Sequence, residues 1–183
     1  INLMAPTNDP TNTAGEPLYD GDFEEGWNGW THEDLTAPTG THWQVSDYNQ
    51  TGGNLAAWCG DIDYPACAGG TDVPGGYGHN YNDLIKFRAE IPTPTVSTTV
   101  TITATVQYDS ELGWDESSLA AKVNNADDNN LYIWSGTGVE AVNTSVTYLP
   151  GDYMSTNQIY LQFRFVSDTN TDDAHCGWAG AGR

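Results

Sequence analysis

Residues 99 to 108 alternate without a break between polar and apolar side chains. Val100, Ile102, Ala104, Val106 and Tyr108 fall on one side, with threonines and Gln107 on the other. A period of two is the pattern of a strand with one buried face, whereas a helix would scatter these residues around its axis. The Thr-rich face suits a half-exposed sheet. One such strand is not stable alone and requires partners of the same kind. The chain supplies them. Residues 41–45 place Trp43 and Val45 together, and residues 118–123 place Leu119, Ala121 and Val123 together. Residues 131–134 form a further short apolar run, and residues 142–148 bring Val142, Val146 and Tyr148 into phase. In residues 158–166, Ile159, Leu161, Phe163 and Phe165 share a face and Arg164 takes the opposite one. A short strand is also expected around Phe23, followed by a turn with aromatic anchors at residues 26–30. No segment carries a helical stripe, and turn residues recur every ten positions or so. The expected fold is all-β, an antiparallel β-sandwich of jelly-roll type.

The chain of 183 residues suffices for one domain with a real core. Residues 1–18, interrupted by Pro6, Pro10 and Pro17, read as an irregular arm or linker, and residues 19–183 as the sandwich. Within the arm, Ile1, Leu3 and Met4 are enough for a short strand added to a sheet of a neighbouring subunit. Residues 54–84 open as an apolar run ending in Trp58 and continue as a long loop rich in Gly and Asp. They read as a disulfide-pinned cover over one end of the sandwich.

Charge excludes several functions. Lys and Arg total 5 against 25 Asp and Glu, a formal charge of -20. Nothing here could neutralise a phosphate backbone, which excludes a general nucleic-acid binder. No apolar run approaches the roughly 20 residues of a membrane helix, so no membrane insertion is expected. Carboxylates in such number serve solvation or act as oxygen ligands to a hard cation such as Ca²⁺.

Cys59 and Cys67 enclose a short loop, and a secreted chain would bridge them. Such a bridge would contribute on the order of 2–3 kcal/mol by constraining the unfolded state. Cys176 is left over. Asn49 and Asn143 head N-glycosylation sequons. The chain starts at Ile1, which reads as a processed or excised product, secreted or held at the cell surface.

No His-Glu-x-x-His helix, Gly-x-Ser-x-Gly elbow or Lys-bearing phosphate loop is present, so no catalytic constellation can be assembled and no enzyme is expected. Trp27, Trp30, Trp114 and Trp134 are candidates for stacking on sugar rings. Candidate Ca²⁺ ligands are Asp20, Asp22 and Glu24 near the first strand, and Asp61 and Asp63 in the loop. Glu111 with Asp115 at a strand end, and Asp168 after the last long strand, complete the set.

Four motifs in order carry a family resemblance. Gly21-Asp22-Phe23-Glu24 with a Gly-Trp turn resembles the opening strand of jelly-roll modules, among them carbohydrate-binding modules and MAM-type adhesion domains. His42-Trp43, Trp58-Cys59-Gly60, Gly75-Gly76-Tyr77-Gly78-His79-Asn80 and Leu84 form an ordered set. Residues 108–115, Y-D-S-E-L-G-W-D, and residues 163–168, F-R-F-V-S-D, complete the series. Together they resemble the MAM-like, concanavalin-like β-sandwich domain of secreted immune-inhibitor-A-type metallopeptidases and related bacterial or archaeal surface proteins. The resemblance implies a structural Ca²⁺ between the first and last strands, marking Asp22 and Glu24 with Asp20 nearby. It also implies that a final strand is missing after Arg183. The leading expectation is a non-catalytic extracellular adhesion or assembly module with structural Ca²⁺. Its partners would be other protein domains or further copies of itself through strand exchange, in a surface or filament subunit. The alternatives are a carbohydrate-binding module, with glycans as partners, and an accessory domain of a secreted metallopeptidase.

Overall fold

The structure is a computed structural model, and it describes residues 2–4, 17–20, 23–27, 29–35, 42–47, 53–66, 73–77, 80–89, 97–122, 129–149 and 159–169. All the regular structure in them is strand, and every pairing is antiparallel. The strands are β1 (Asn2–Met4), β2 (Pro17–Asp20), β3 (Trp30–Asp34), β4 (Trp43–Ser46), β5 (Ala56–Cys59), β6 (Asp61–Ala66) and β7 (Val73–Gly76). Then follow β8 (Asn82–Ala89), β9 (Thr98–Asp109), β10 (Glu116–Lys122), β11 (Asn129–Trp134), β12 (Thr137–Tyr148) and β13 (Ile159–Val166).

Two sheets form the body. One has the order β12-β9-β1-β2 and the other β11-β10-β13-β8-β3. Their inward faces meet in one core. Val100, Ile102 and Val142 come from the first sheet, and Trp30, Ile85, Leu119, Trp134, Leu161 and Phe163 from the second. Apolar faces of two sheets removed from water against each other make a sandwich, as expected. Residues 100 to 108 keep their phase, since Val100 and Ile102 are buried and Ala104, Val106 and Tyr108 pack beside them. Along its length β9 pairs residue for residue with β12, from Asp109↔Thr137 to Thr98↔Tyr148.

Several expectations change. The start of the arm is a strand, β1, lying between β9 and β2 of its own sheet. Phe23 does not lie in a strand. It sits in a turn at φ 65, closed by the Gly26 amide donating to its carbonyl, and its ring is buried in the core. A left-handed backbone at a bulky residue is strained, and burial of the ring offsets that strain.

Residues 54–84 are not a plain loop either. They contain β5, β6, β7 and the start of β8. The apolar run before Gly60 pairs with β4, and β6 with β7 form a separate hairpin. Pro65 and Pro74 face each other there, beyond an irregularity in the register, and a two-stranded ribbon tolerates prolines that a central strand would not. β3 escapes the alternation test because Thr31, His32 and Glu33 are all exposed on an edge strand. β8 escapes it because Leu84 and Ile85, adjacent in sequence, are both buried.

Cys59 is a free thiol, packed against a second small cluster of Tyr77, Tyr81 and Phe165. The expected bridge is therefore not made at Cys59, and its intended partner Cys67 lies outside the described residues, as does Cys176.

Candidate functional site

The turn joining β9 to β10 is held on every side. The Ser110 amide donates to the Gly136 carbonyl at 2.9 Å, and the Gly136 amide returns a bond to Ser110 Oγ at 3.2 Å. The Glu111 amide donates to the Tyr77 hydroxyl at 3.0 Å. The Trp114 and Asp115 amides both donate to the Glu111 carbonyl, at 3.3 and 3.1 Å. Ser135 Oγ accepts from the Gly113 amide at 2.6 Å and donates to the Glu111 carbonyl at 3.1 Å. Gly113 has φ +84, a backbone that L side chains rarely adopt. The sequence E-L-G-W-D thus forms a tight turn whose flanks face inward and whose tip faces water.

The flanks carry acids. Asp115 is 0% exposed, and its Oδ1 accepts the Asp168 amide at 2.8 Å. Asp168 lies two residues past the end of β13, and its carbonyl accepts the Asn80 amide at 2.8 Å. One carboxylate oxygen from each of Glu111, Asp115 and Asp168 lies within 4.8 Å of the others. Burial pushes the Asp115 carboxyl above its usual range, and the charge of Asp168 adds to this. The Tyr77 hydroxyl and the Asp168 and Glu111 backbone groups pull it back. Oxygen donors at this spacing can hold a hard cation. At the tip, Trp114 is 66% exposed and Leu112 is 70% exposed.

A second cluster lies near the Tyr77 side of the core. His42 Nδ1 and Asp83 Oδ2 are 2.7 Å apart, and Asp34 is close enough to share an ion with them. The His42 ring stacks on Tyr81, centroids 3.7 Å apart. Asp83 is 1% exposed, and burial pushes its carboxyl up to about 6. The His42 hydrogen bond and charge oppose that shift, and Asp34 reinforces it. Burial, with the charges of Asp83 and Asp34, raises the Cys59 thiol well above its ordinary value and keeps it protonated. Sequence reasoning passed over this group. The available signal was a carboxylate at Asp83, two residues before the buried Ile85 and so on the same strand face.

Of the other candidates, only Glu24 has a described side chain. The carboxylates of Asp20, Asp61 and Asp63, and all of Asp22, lie outside the described side chains. Glu24 is occupied by protein donors. It accepts from the Asn54 amide, from Asn54 Nδ2 at 2.9 Å and from the Leu55 amide at 2.9 Å, which hold its carboxyl below the usual range. It ties its turn to the approach of β5, where the resemblance implied a Ca²⁺ ligand.

Of the four tryptophans, Trp30 and Trp134 are core residues and not sugar platforms. Trp30 packs with Phe23 and Phe163, at 5.9 and 6.0 Å between centroids. Trp134 stacks with Tyr132 at 5.4 Å and donates Nε1 to Glu140 at 2.8 Å. Trp27 is half-buried against the core and tilts over His32. Trp114 alone of the four is exposed. Asn143 is exposed at the middle of β12, and Asn49 lies outside the described residues.

No protein-family model matches the chain, and no curated protein matches it. The resemblance to the MAM-like domain of metallopeptidases therefore gains no support from that side. One similar solved structure is TmCBM61 in complex with beta-1,4-galactotriose, at 13% identity and a TM-score of 0.45, covering 82% of this chain and 86% of that one. Another is a family 16 carbohydrate binding module, at 11% identity and a TM-score of 0.43, covering 85% of this chain and 92% of that one. Both likenesses are distant.

Proposed function

We propose that the chain is a non-catalytic, extracellular glycan-binding module that receives a sugar ring on Trp114. The observation that carries this reading is an indole left two-thirds in water on a turn that is otherwise fully braced. A large apolar ring in water forgoes the burial that most tryptophans obtain. A turn fixed before the ligand arrives loses little further entropy on binding, which favours recognition. Leu112, also exposed, widens the apolar surface at the tip.

The test is titration calorimetry of the whole chain against a panel of soluble polysaccharides, with Trp114→Ala alongside. An aromatic anchor of this kind carries about 2 kcal/mol, so the variant should bind some thirtyfold more weakly. Its melting temperature should match the wild type, because the ring is exposed. A wild type that binds no member of the panel, or a variant that binds equally well, overturns the reading.

A further inference from the structure

We propose that Glu111, Asp115 and Asp168 form a Ca²⁺ site where the β9–β10 turn meets the end of β13. Three carboxylates brought within 4.8 Å repel one another when ionised, and a cation among them would relieve that repulsion. The second observation is Asp115 itself. It is fully buried, Oδ1 takes the Asp168 amide, and Oδ2 has no hydrogen-bond partner. A buried carboxylate oxygen without a donor carries a desolvation cost that a metal ion would relieve.

No described side-chain cation stands in for it. Lys86 Nζ bonds Glu33 at 2.7 Å, and Arg164 Nε bonds Asn82 at 2.8 Å. The donor set is all oxygen, with no imidazole or thiolate, which disfavours zinc and copper. Asp115 and Asp168 lie on different elements, so the ion would join the turn to the end of a central strand. Ca²⁺ accepts irregular oxygen shells of six to eight ligands at loops, whereas Mg²⁺ demands a near-ideal octahedron. The ion would add one more tie to a turn already held by Tyr77, Ser135 and Gly136, linking it to the end of β13.

The site stands on its own geometry, apart from glycan binding. Calorimetry and thermal melts with CaCl₂, after EDTA treatment, use the whole chain. One Ca²⁺ should bind per chain with Kd on the order of 10⁻⁴ M, as in extracellular modules. At 100 times Kd the folding equilibrium should shift about 100-fold. Glu111→Gln and Asp115→Asn, each removing one charge with little change of shape, should each weaken binding at least tenfold. Glu111 is half-buried, so its variant keeps the test valid even where Asp115→Asn folds poorly. Absence of both heat and melting shift at 10 mM Ca²⁺ overturns the proposal. So does a response retained by Glu111→Gln, or an equal response to Mg²⁺. Ca²⁺ binding with no glycan binding leaves the metal site standing and removes the sugar reading.

Discussion

Replacing Asp83 by Asn should change how stability depends on pH, and the structure supplies the size of the effect. Asp83 is 1% exposed, and its carboxyl is raised from 3.8 to about 6. Two pH units correspond to about 3 kcal/mol, an upper figure because the buried carboxyl is tied to a hydrogen-bonded neighbour. The sign follows from which state holds the proton more tightly. The folded chain does, so this contribution is fully present below about pH 3.8 and is lost as pH rises through about 6. Wild-type stability relative to Asp83→Asn should therefore fall by up to about 3 kcal/mol between pH 4 and pH 7.5. The amide cannot ionise but can still meet His42.

Urea unfolding followed by tryptophan fluorescence, at half-unit steps from pH 4 to 8 with EDTA throughout, measures both curves. The comparison removes the general effect of a chain at -20, whose self-repulsion eases on acidification in both proteins. His42→Ala removes the hydrogen bond and charge that hold Asp83 down, so its transition should move above pH 6. Parallel curves for wild type and Asp83→Asn across the range would refute the reasoning.

Two further substitutions test the fold that positions the turn. Leu119→Ala, at a residue 0% exposed in the centre of the core, should cost about 2–5 kcal/mol in urea unfolding. Gly138→Ala should cost about 1–3 kcal/mol, because the new Cβ would lie 2.5 Å from the Tyr108 hydroxyl. Tyr108 pairs directly with Gly138 and stacks on Trp134, so its ring cannot swing away without disturbing the core. A melting temperature unchanged by Gly138→Ala would show that the ring moves freely.

The glycan and metal readings are linked through one short stretch of chain. E-L-G-W-D carries two of the three acids and both exposed apolar residues. The turn is stiff because its donors and acceptors are bonded to Tyr77 and to the adjacent Ser135 and Gly136, two parts of the chain distant from it in sequence. Stiffness of that origin survives substitution at the tip, which is why Trp114→Ala isolates binding from stability.

The amino-acid sequence by itself determined the fold class and the long strands. Alternation with period two is a local property, legible wherever one face of a strand is buried and the other wet, as along residues 99 to 108. It fails for β8 and β3, whose buried or exposed character is imposed by neighbours distant in sequence. The sequence also marked Glu111, Asp115 and Asp168 as acids at strand ends, together with five others that looked equally able to bind metal. Only the tertiary structure brings these three together and ties Glu24 to Asn54 and Leu55; the side chains of Asp20, Asp22, Asp61 and Asp63 lie outside the described residues. Bringing Asp168 to Asp115 requires β13 to lie beside β10, across 53 residues of chain. It likewise sorted the tryptophans, burying Trp30 and Trp134 and leaving Trp114 in water. Convergence of charges and exposure of rings are properties of packing, and residue types alone do not encode them.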